Sequence, residues 1–288
     1  MKPSFSVITP CYNALYWLPG CIASVAAQEN VTVQHAIQDG ASTDGTVEYL
    51  LSQPGVDAQS KKDAGMYDAL NQAWARATGE FVVHLNADEQ LLPGALEAVA
   101  ECFRRNPNTE VVLTGTLICN RDGSLNCYRR PMKPPMTLML TSHQPVHTCS
   151  IFIRRSSFID RPWLYDPRFR VSADVHLLMD MVRSRKKMAI LDRFTSVFML
   201  TGANLGLTKS AVAVQEYKYQ LSLAPAWMRM LRRPIRIAFH LRKLLAGHYT
   251  HGTIRYSLYR PGSESGPTEF VAEKPTGVYR PYEHVAQI

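Results

Sequence analysis

The sequence predicts an α/β fold: a mostly parallel sheet with helices on both faces, followed by a basic helical C-terminal segment. Three observations predict it. Short apolar runs at 5–9, 33–38, 81–85 and 111–118 alternate with stretches of helical periodicity, the order of βαβ units. Turn-forming or acidic residues follow the first three runs at once, as happens where parallel strands end at a ligand crevice. The surplus positive charge sits in one window near the C-terminus.

Each element follows in order. Residues 5–9 read as a strand that Pro10-Cys11-Tyr12-Asn13 ends. Leu18, Cys21, Ile22 and Val25, spaced by three and four, mark a helix. A second strand at 33–38 runs into the turn-rich DGASTDGT, residues 39–46. A short helix at 47–51 closes on Pro54-Gly55. Tyr67, Leu70, Trp74 and Ala77 form a helical stripe that Gly79 ends. A third strand at 81–85, a helix at 95–103 and a fourth strand at 111–118 complete the pattern. Beyond 120 it loosens: RRPMKPPM (129–136) reads as a mobile loop, 150–154 as a short strand, 172–183 as a helix and 188–200 as one or two strands.

Composition narrows the function classes. The 288 residues are 46% hydrophobic, enough for one large domain with a tail or two small ones. No run of 18 apolar residues predicts a transmembrane helix, and the N-terminus lacks the apolar region of a signal peptide. Six cysteines without a CxxC pair suit reduced thiols in the cytoplasm. The net charge is +8, and the window 221–260 holds eight basic residues and no acid.

The chemistry concentrates at FVVHLNADEQLLPG, residues 81–94, where an apolar strand runs straight into oxygen ligands. Asp88 lies five residues before Pro93, too far to cap the helix behind it, which favours a metal ion. Asp39 ends the second strand, so in a parallel sheet it shares a crevice with Asp88 and the loop 10–13. Mg²⁺ or Mn²⁺ would be needed between such carboxylates and a nucleotide diphosphate. Capping competes with ligand contact at several acids. It is favoured at Asp44, even at Asp63, and suits Asp68 in a first helical turn. His143 and His147 are four apart, but Pro145 between them rules out a helical zinc pair.

SVITPCYN, QDGASTDGTVEYL, KDAGMYDALNQAWARATGEFVVHLNADE and YDPRFRVSADVHLLMDMV occur in this order. Together they resemble family 2 glycosyltransferases of the GT-A fold, most closely bacterial enzymes of exopolysaccharide, O-antigen or colanic-acid-type synthesis. The resemblance covers about residues 4–205. It implies an inverting transfer from a nucleotide sugar, commonly a UDP-sugar, to a hydroxyl of a glycan or lipid-linked acceptor in surface polysaccharide assembly. Thr9, Pro10 and Tyr12 would line the nucleobase pocket, and Asp39 would bond the base. Asp63, with Asp68 and Asn71 on one helix face, would flank the ribose and sugar. Asn86-Ala87-Asp88 stands at the DxD-like motif, with Asp88 as the metal contact and Asn86 replacing the usual acid. Asp174 stands at the general base. His143-Gln144 would lie near the acceptor or the diphosphate.

Two other classes compete. A catalytically inactive nucleotide-binding scaffold is suggested by Asn86. A nucleotidyltransferase would need a Gly-rich basic loop after the first strand, and Pro10-Cys11-Tyr12-Asn13 is not one.

The expected organisation is a catalytic domain at 1–205, a basic helical extension at 206–260 and a loose tail at 261–288. In the extension, apolar residues 235, 238, 239, 241 and 245 could share a stripe beside Arg236, Arg242 and Lys243. An anionic membrane surface is the expected partner, which would place the protein in the cytoplasm at the inner face of the plasma membrane. A helix packed on the catalytic domain with a solvated basic face is the structural alternative. No aromatic platform supports nucleic acid.

Overall fold

The computed structural model describes residues 2–202, 204, 210–261 and 266–279. Its centre is a nine-stranded sheet in which β1 (Ser4–Cys11), β2 (Thr32–Asp39), β3 (Val56–Ser60) and β4 (Phe81–His84) are parallel, in the order β3-β2-β1-β4. The sheet extends through β8 (Ile151–Arg154), β6 (Val111–Asn120), β9 (Met188–Leu200) and β5 (Gln90–Leu91). β6 and β9 pair in parallel, while β8 and β5 run against their neighbours. β7 (Leu125–Arg129) folds back on β6 as a hairpin. The sheet is thus mostly parallel, as expected.

Alternation along the strands sends side chains to two cores. Val7 and Val83 face α1 (Leu18–Ala26) and α4 (Ala95–Arg105), which bury Cys21, Val25, Leu96, Val99 and Phe103. Ile8 and Val82 face α3 (Met66–Arg76), α5 (Met136–Thr141) and α6 (Ala173–Arg183), through Leu70, Ala73, Met139, Leu178 and Met179. Each fully buried side chain of this size stabilises by roughly 1.5–3 kcal/mol. The short α2 (Thr46–Leu51) follows the β2 loop. Gly79 lies where a Cβ would stand 2.4 Å from the Phe5 carbonyl carbon. It enforces close packing on β1, and α3 has already ended at Arg76.

Several elements differ from the sequence reading. The sequence reading has no strand at β3, because VDAQS is a five-residue edge strand whose only apolar residues are Val56 and Ala58, too weak a pattern to stand out. The 188–200 segment is one strand, kept continuous by its pairing with β6. The tail expected to be loose from 261 contains β11 (Thr268–Ala272), antiparallel to β10 (Ile254–Leu258). Ile254, Tyr256 and Leu258 pack against Leu117, Tyr128 and Val197, and that contact holds the hairpin in place. Residues 262–265 and 280–288 of the expected tail lie outside the described residues, as do 205–209 at the expected domain boundary.

Three helices fill the basic segment: α7 (Ala211–Ser222), α8 (Ala226–Met230) and α9 (Arg232–Leu245). On α9 the inward residues are Phe239 and Lys243, with Ile235 half-buried one turn before. Ile237, Leu241, Leu244 and Leu245 face outward, 59%, 53%, 59% and 90% exposed. The apolar stripe is therefore real but differently composed: Phe239 lies inward, and Leu244 and Ile237 lie outward. Among the described residues no helix is long and apolar enough to cross a membrane.

Candidate active site

The carboxyl ends of β3, β2, β1 and β4 open on a cleft of about 1290 Å³. Its first wall is a pair of loops closed on each other. The Gly40 amide donates to the Cys11 carbonyl at 2.9 Å, and Asn13 Oδ1 accepts the Thr43 amide at 2.9 Å. Asp44 accepts from the amides of Leu15 and Thr46; the N-cap of α2 is Gly45, so Asp44 ties the two loops together at the helix start rather than capping it as expected. Pro10 and Tyr12 line the cleft, and Tyr12 is exposed, a flat ring free to meet a planar ligand. At Gly40 a Cβ would stand 2.8 Å from Asp63 Oδ2 and 3.3 Å from the Tyr12 ring, so glycine lets these groups converge.

Asp39 does not line this cleft. It is fully buried, and its carboxylate accepts from the Ser42 amide (3.0 Å), the Ser42 hydroxyl (2.5 Å) and the Ser60 hydroxyl (2.6 Å). It shapes the Gly40-Ala41 backbone that forms the wall. Thr9 is also buried; its hydroxyl lies 3.0 Å from His35 Nε2, inside the sheet layer.

Asp63 stands on the cleft wall. Burial raises its carboxyl, and the charges of Asp68 and Asp39 add to that, against the Gly65 amide that it accepts at 2.8 Å. Asp68 turns away: its carboxylate accepts the Ala64 amide and the Gln72 side chain, a cap at the start of α3. Asn71 clamps the segment before α6. It accepts the amides of Leu164 and Tyr165 and donates to the Tyr165 carbonyl at 2.7 Å. Neither Asp68 nor Asn71 lines the cleft, so the structure does not bring them together with Asp63 as a ribose-facing group.

The metal-motif loop follows β4. Asn86, Ala87 and Asp88 line the cleft. The Asn86 amide donates to Glu89 at 2.8 Å, and its Oδ1 lies 2.8 Å from His84 Nε2. Burial raises the carboxyls of both Asp88 and Glu89, and the Asp88 charge adds to the rise of Glu89. Glu89 is buried beneath the loop, while Asp88 faces the cleft, 3.3 Å from Asn204 Nδ2. Among the described residues no three His, Cys, Asp or Glu form a cation cluster. A Mg²⁺ or Mn²⁺ completed by substrate phosphates and water needs only one or two protein carboxylates, and Asp88 supplies one. The Asn86 oxygen already meets His84, and an amide oxygen is a weaker ligand than a carboxylate.

Opposite stands Asp174 in the first turn of α6. The Tyr67 hydroxyl donates to its Oδ1 at 2.8 Å, and the Val175 amide to the same atom at 2.9 Å. Burial raises the Asp174 carboxyl, the Tyr67 bond counters it, and the Glu216 charge adds to the rise. Burial and the Asp174 charge push the Tyr67 phenol well up, so it remains a donor. Behind Asp174, Glu216 of α7 accepts the amides of Arg170, Val171 and Ser172 and the Ser172 hydroxyl, all within 2.6–3.1 Å.

Gln144 reaches the cleft, but His143 does not; its ring meets Phe239 of α9 instead. His147, read as packing, lines the cleft beside Phe198 at a ring distance of 4.6 Å. His84 also lines it, lowered to about 4 by burial and held by Tyr165 and Asn86. Arg129 and Tyr279 complete the far wall, and Arg129 donates to the Gly277 carbonyl at 2.7 Å. A histidine inside the apolar run FVVHL was the only available hint of His84. Nothing local signals Tyr279, because the β10–β11 packing brings it there. All six cysteines are free and buried; burial pushes the Cys11 thiol far up, which leaves it inert.

The family model for glycosyl transferase family 2 matches residues 6–163, more than half of the chain. The chain belongs to glycosyltransferase family 2. It is 30% identical over 149 residues to the chondroitin synthase of Pasteurella multocida (strain Pm70), which covers 49% of this chain and 15% of that protein. The chain thus spans about 15% of that relative's length. Two solved structures share the fold. S. aureus TarS 1–349 in complex with UDP-GlcNAc has a TM-score of 0.58 at 16% identity, covering 84% of this chain and 73% of that one. A mannosyltransferase of Pyrobaculum calidifontis in complex with GDP-Man and Mn²⁺ has a TM-score of 0.53 at 16% identity, covering 85% and 79%. The GT-A architecture and the glycosyltransferase assignment expected from the motifs both hold.

Proposed function

We propose that this glycosyltransferase moves a sugar from a nucleotide sugar, with UDP as the nucleotide, to a hydroxyl of a glycan or lipid-linked acceptor in bacterial surface polysaccharide assembly. One displacement with inversion is the mechanism. The observation that carries it is the placement of Asp88 and Asp174 on a single cleft at the carboxyl edge of the sheet. Tyr67 and Val175 both donate to Asp174 Oδ1, and Oδ2 is the oxygen left for the acceptor. That oxygen removes the acceptor's proton as the hydroxyl attacks the anomeric carbon, a contribution of roughly 10²–10⁴-fold.

Asp88 would hold the divalent cation, which when bound offsets the charge gained by the leaving nucleoside diphosphate. Tyr12 and the Gly40-Ala41 backbone frame the nucleobase, and Asp63 the donor sugar. The two structural neighbours carry different nucleotides, so the choice of UDP rests on family habit. The outward apolar stripe of α9, bordered by arginines, supports a peripheral position on an anionic membrane.

Thermal unfolding with UDP, GDP and dTDP, each with and without Mn²⁺, tests the donor site. A ligand at 100 times its Kd adds about 2.7 kcal/mol. A metal-dependent shift with UDP that Asp88→Ala abolishes is expected. Asp174→Asn should keep that shift and lose transfer. No shift with any nucleotide would remove the reading, and a product of retained configuration would remove the mechanism.

A further inference from the structure

Outside the catalytic cleft, a second cavity of about 260 Å³ lies between the end of α5, α7 and the first turns of α9. Its lining is Thr141, Ser142, Tyr217, Arg232, Arg233 and Arg236. Three arginines thus line one small space, and no carboxylate among the described residues pairs with any of them. The Tyr217 hydroxyl is spent on the Thr141 carbonyl at 3.1 Å, and the Ser142 hydroxyl lies 2.8 Å from His143 Nδ1. Like charges gathered without a counter-charge repel, and an anion in the space would offset that. Guanidinium forks match phosphate oxygens two at a time, and bonds to charged oxygens are about twice as strong as neutral ones. The surroundings are positive as well. Burial lowers the neighbouring His143 to about 4, and the charges of Arg129, His240, Lys243 and Arg236 add to that.

The place of the cavity gives it a use. Ser142 lines it and Gln144 lines the catalytic cleft, so a single residue, His143, lies between them, and the two positions are at most about 7 Å of extended chain apart. The outward apolar stripe of α9 begins one residue after Arg236. We propose that this cavity binds the phosphate or diphosphate of the acceptor, making the acceptor a phosphate ester whose hydroxyl reaches the cleft while its anion rests on Arg232, Arg233 and Arg236. This rests on the glycosyl-transfer reading and names its acceptor class.

The test is calorimetric titration of the full chain with inorganic pyrophosphate in EDTA, which disarms the Asp88 site. Beside it, co-sedimentation compares phosphatidylcholine vesicles containing dodecyl phosphate with plain phosphatidylcholine vesicles. Wild type, R232Q/R236Q and Asp88→Asn are compared. Because both arginines are exposed, the double variant should unfold at the wild-type temperature. Expected is at least a tenfold loss of pyrophosphate and of dodecyl phosphate binding in R232Q/R236Q, with Asp88→Asn unchanged. Pyrophosphate binding that follows Asp88, or an R232Q/R236Q protein that binds as wild type does, overturns the site. Binding of pyrophosphate but not of the ester overturns the acceptor assignment and leaves only a free anion. Failure of the glycosyl-transfer reading shows separately, as absent nucleotide release from donor in a protein that still binds pyrophosphate.

Discussion

The Glu216 carboxylate receives both the amide (2.9 Å) and the hydroxyl (2.7 Å) of Ser172, two residues before Asp174. A helix read from sequence as an extension thereby fixes the entry of the helix that carries Asp174, the proposed base. Glu216→Ala should leave three amides without their acceptor and cost about 3 kcal/mol, with at least a tenfold loss of kcat. Glu216→Gln separates position from charge. It should keep most of the stability and move the acid limb of the kcat profile to lower pH, since the Glu216 charge raises Asp174. An unmoved limb would reduce Glu216 to a packing role.

Tyr67→Phe should act in the opposite direction. The lost hydrogen bond is one that lowers the Asp174 carboxyl, so its removal raises the carboxyl further and moves the acid limb to higher pH. Metal-dependent nucleotide binding should stay as in wild type. A kcat–pH profile for the two variants, run side by side, checks both signs.

Stability should depend on His35. Burial lowers it from 6.5 to about 3. Between those values the unfolded chain binds a proton that the folded chain refuses. Stability is therefore complete above about 6.5 and falls as pH drops through this window, by up to about 1.4 kcal/mol per pH unit for this group. His35→Gln, which still offers Thr9 a partner, should flatten the acid side of a denaturation–pH curve. An identical slope would assign the acid loss to other buried groups.

The α9 stripe should carry membrane binding. Ile237→Glu with Leu241→Glu places carboxylates on an exposed face, so the unfolding temperature should hold. Co-sedimentation with phosphatidylglycerol vesicles at low salt should fall at least tenfold. Added salt should weaken the wild type, as about 1 kcal/mol per basic residue near the surface is screened. Undiminished binding in the double variant would leave α9 as a helix that packs on the catalytic domain.

The sheet was legible because its strands are buried on both faces and read as apolar runs. The cleft positions of Asp88 and Asp174 were legible for different reasons: Asp88 is an acid at a strand end without a helix to cap, whereas Asp174 suits a first helical turn and stood out only through the family motif around it. Asn71 and Asp39 were misplaced for a different reason. A motif tells which residue types gather near a ligand, but not whether a side chain turns to the ligand or to the backbone that frames it. Asn71 turned to residues 164–165, and Asp39 to Ser42 and Ser60. Glu216 and Tyr279 could not be read, because contacts far along the chain bring them to the site.

The Gln90 side chain joins Tyr259 through two bonds, to its carbonyl at 2.7 Å and from its amide at 2.8 Å, across a separation of 169 residues. Gln90 adjoins the metal-motif loop, so that loop is buttressed by chain made long after it. During synthesis the ribosome delivers the β1–β4 half of the cleft early and its far wall late. The cleft is therefore not complete until the segment around Tyr259 and Gly277 has emerged, and, if it is the donor site as proposed, a nascent chain stalled before that should bind no nucleotide sugar tightly.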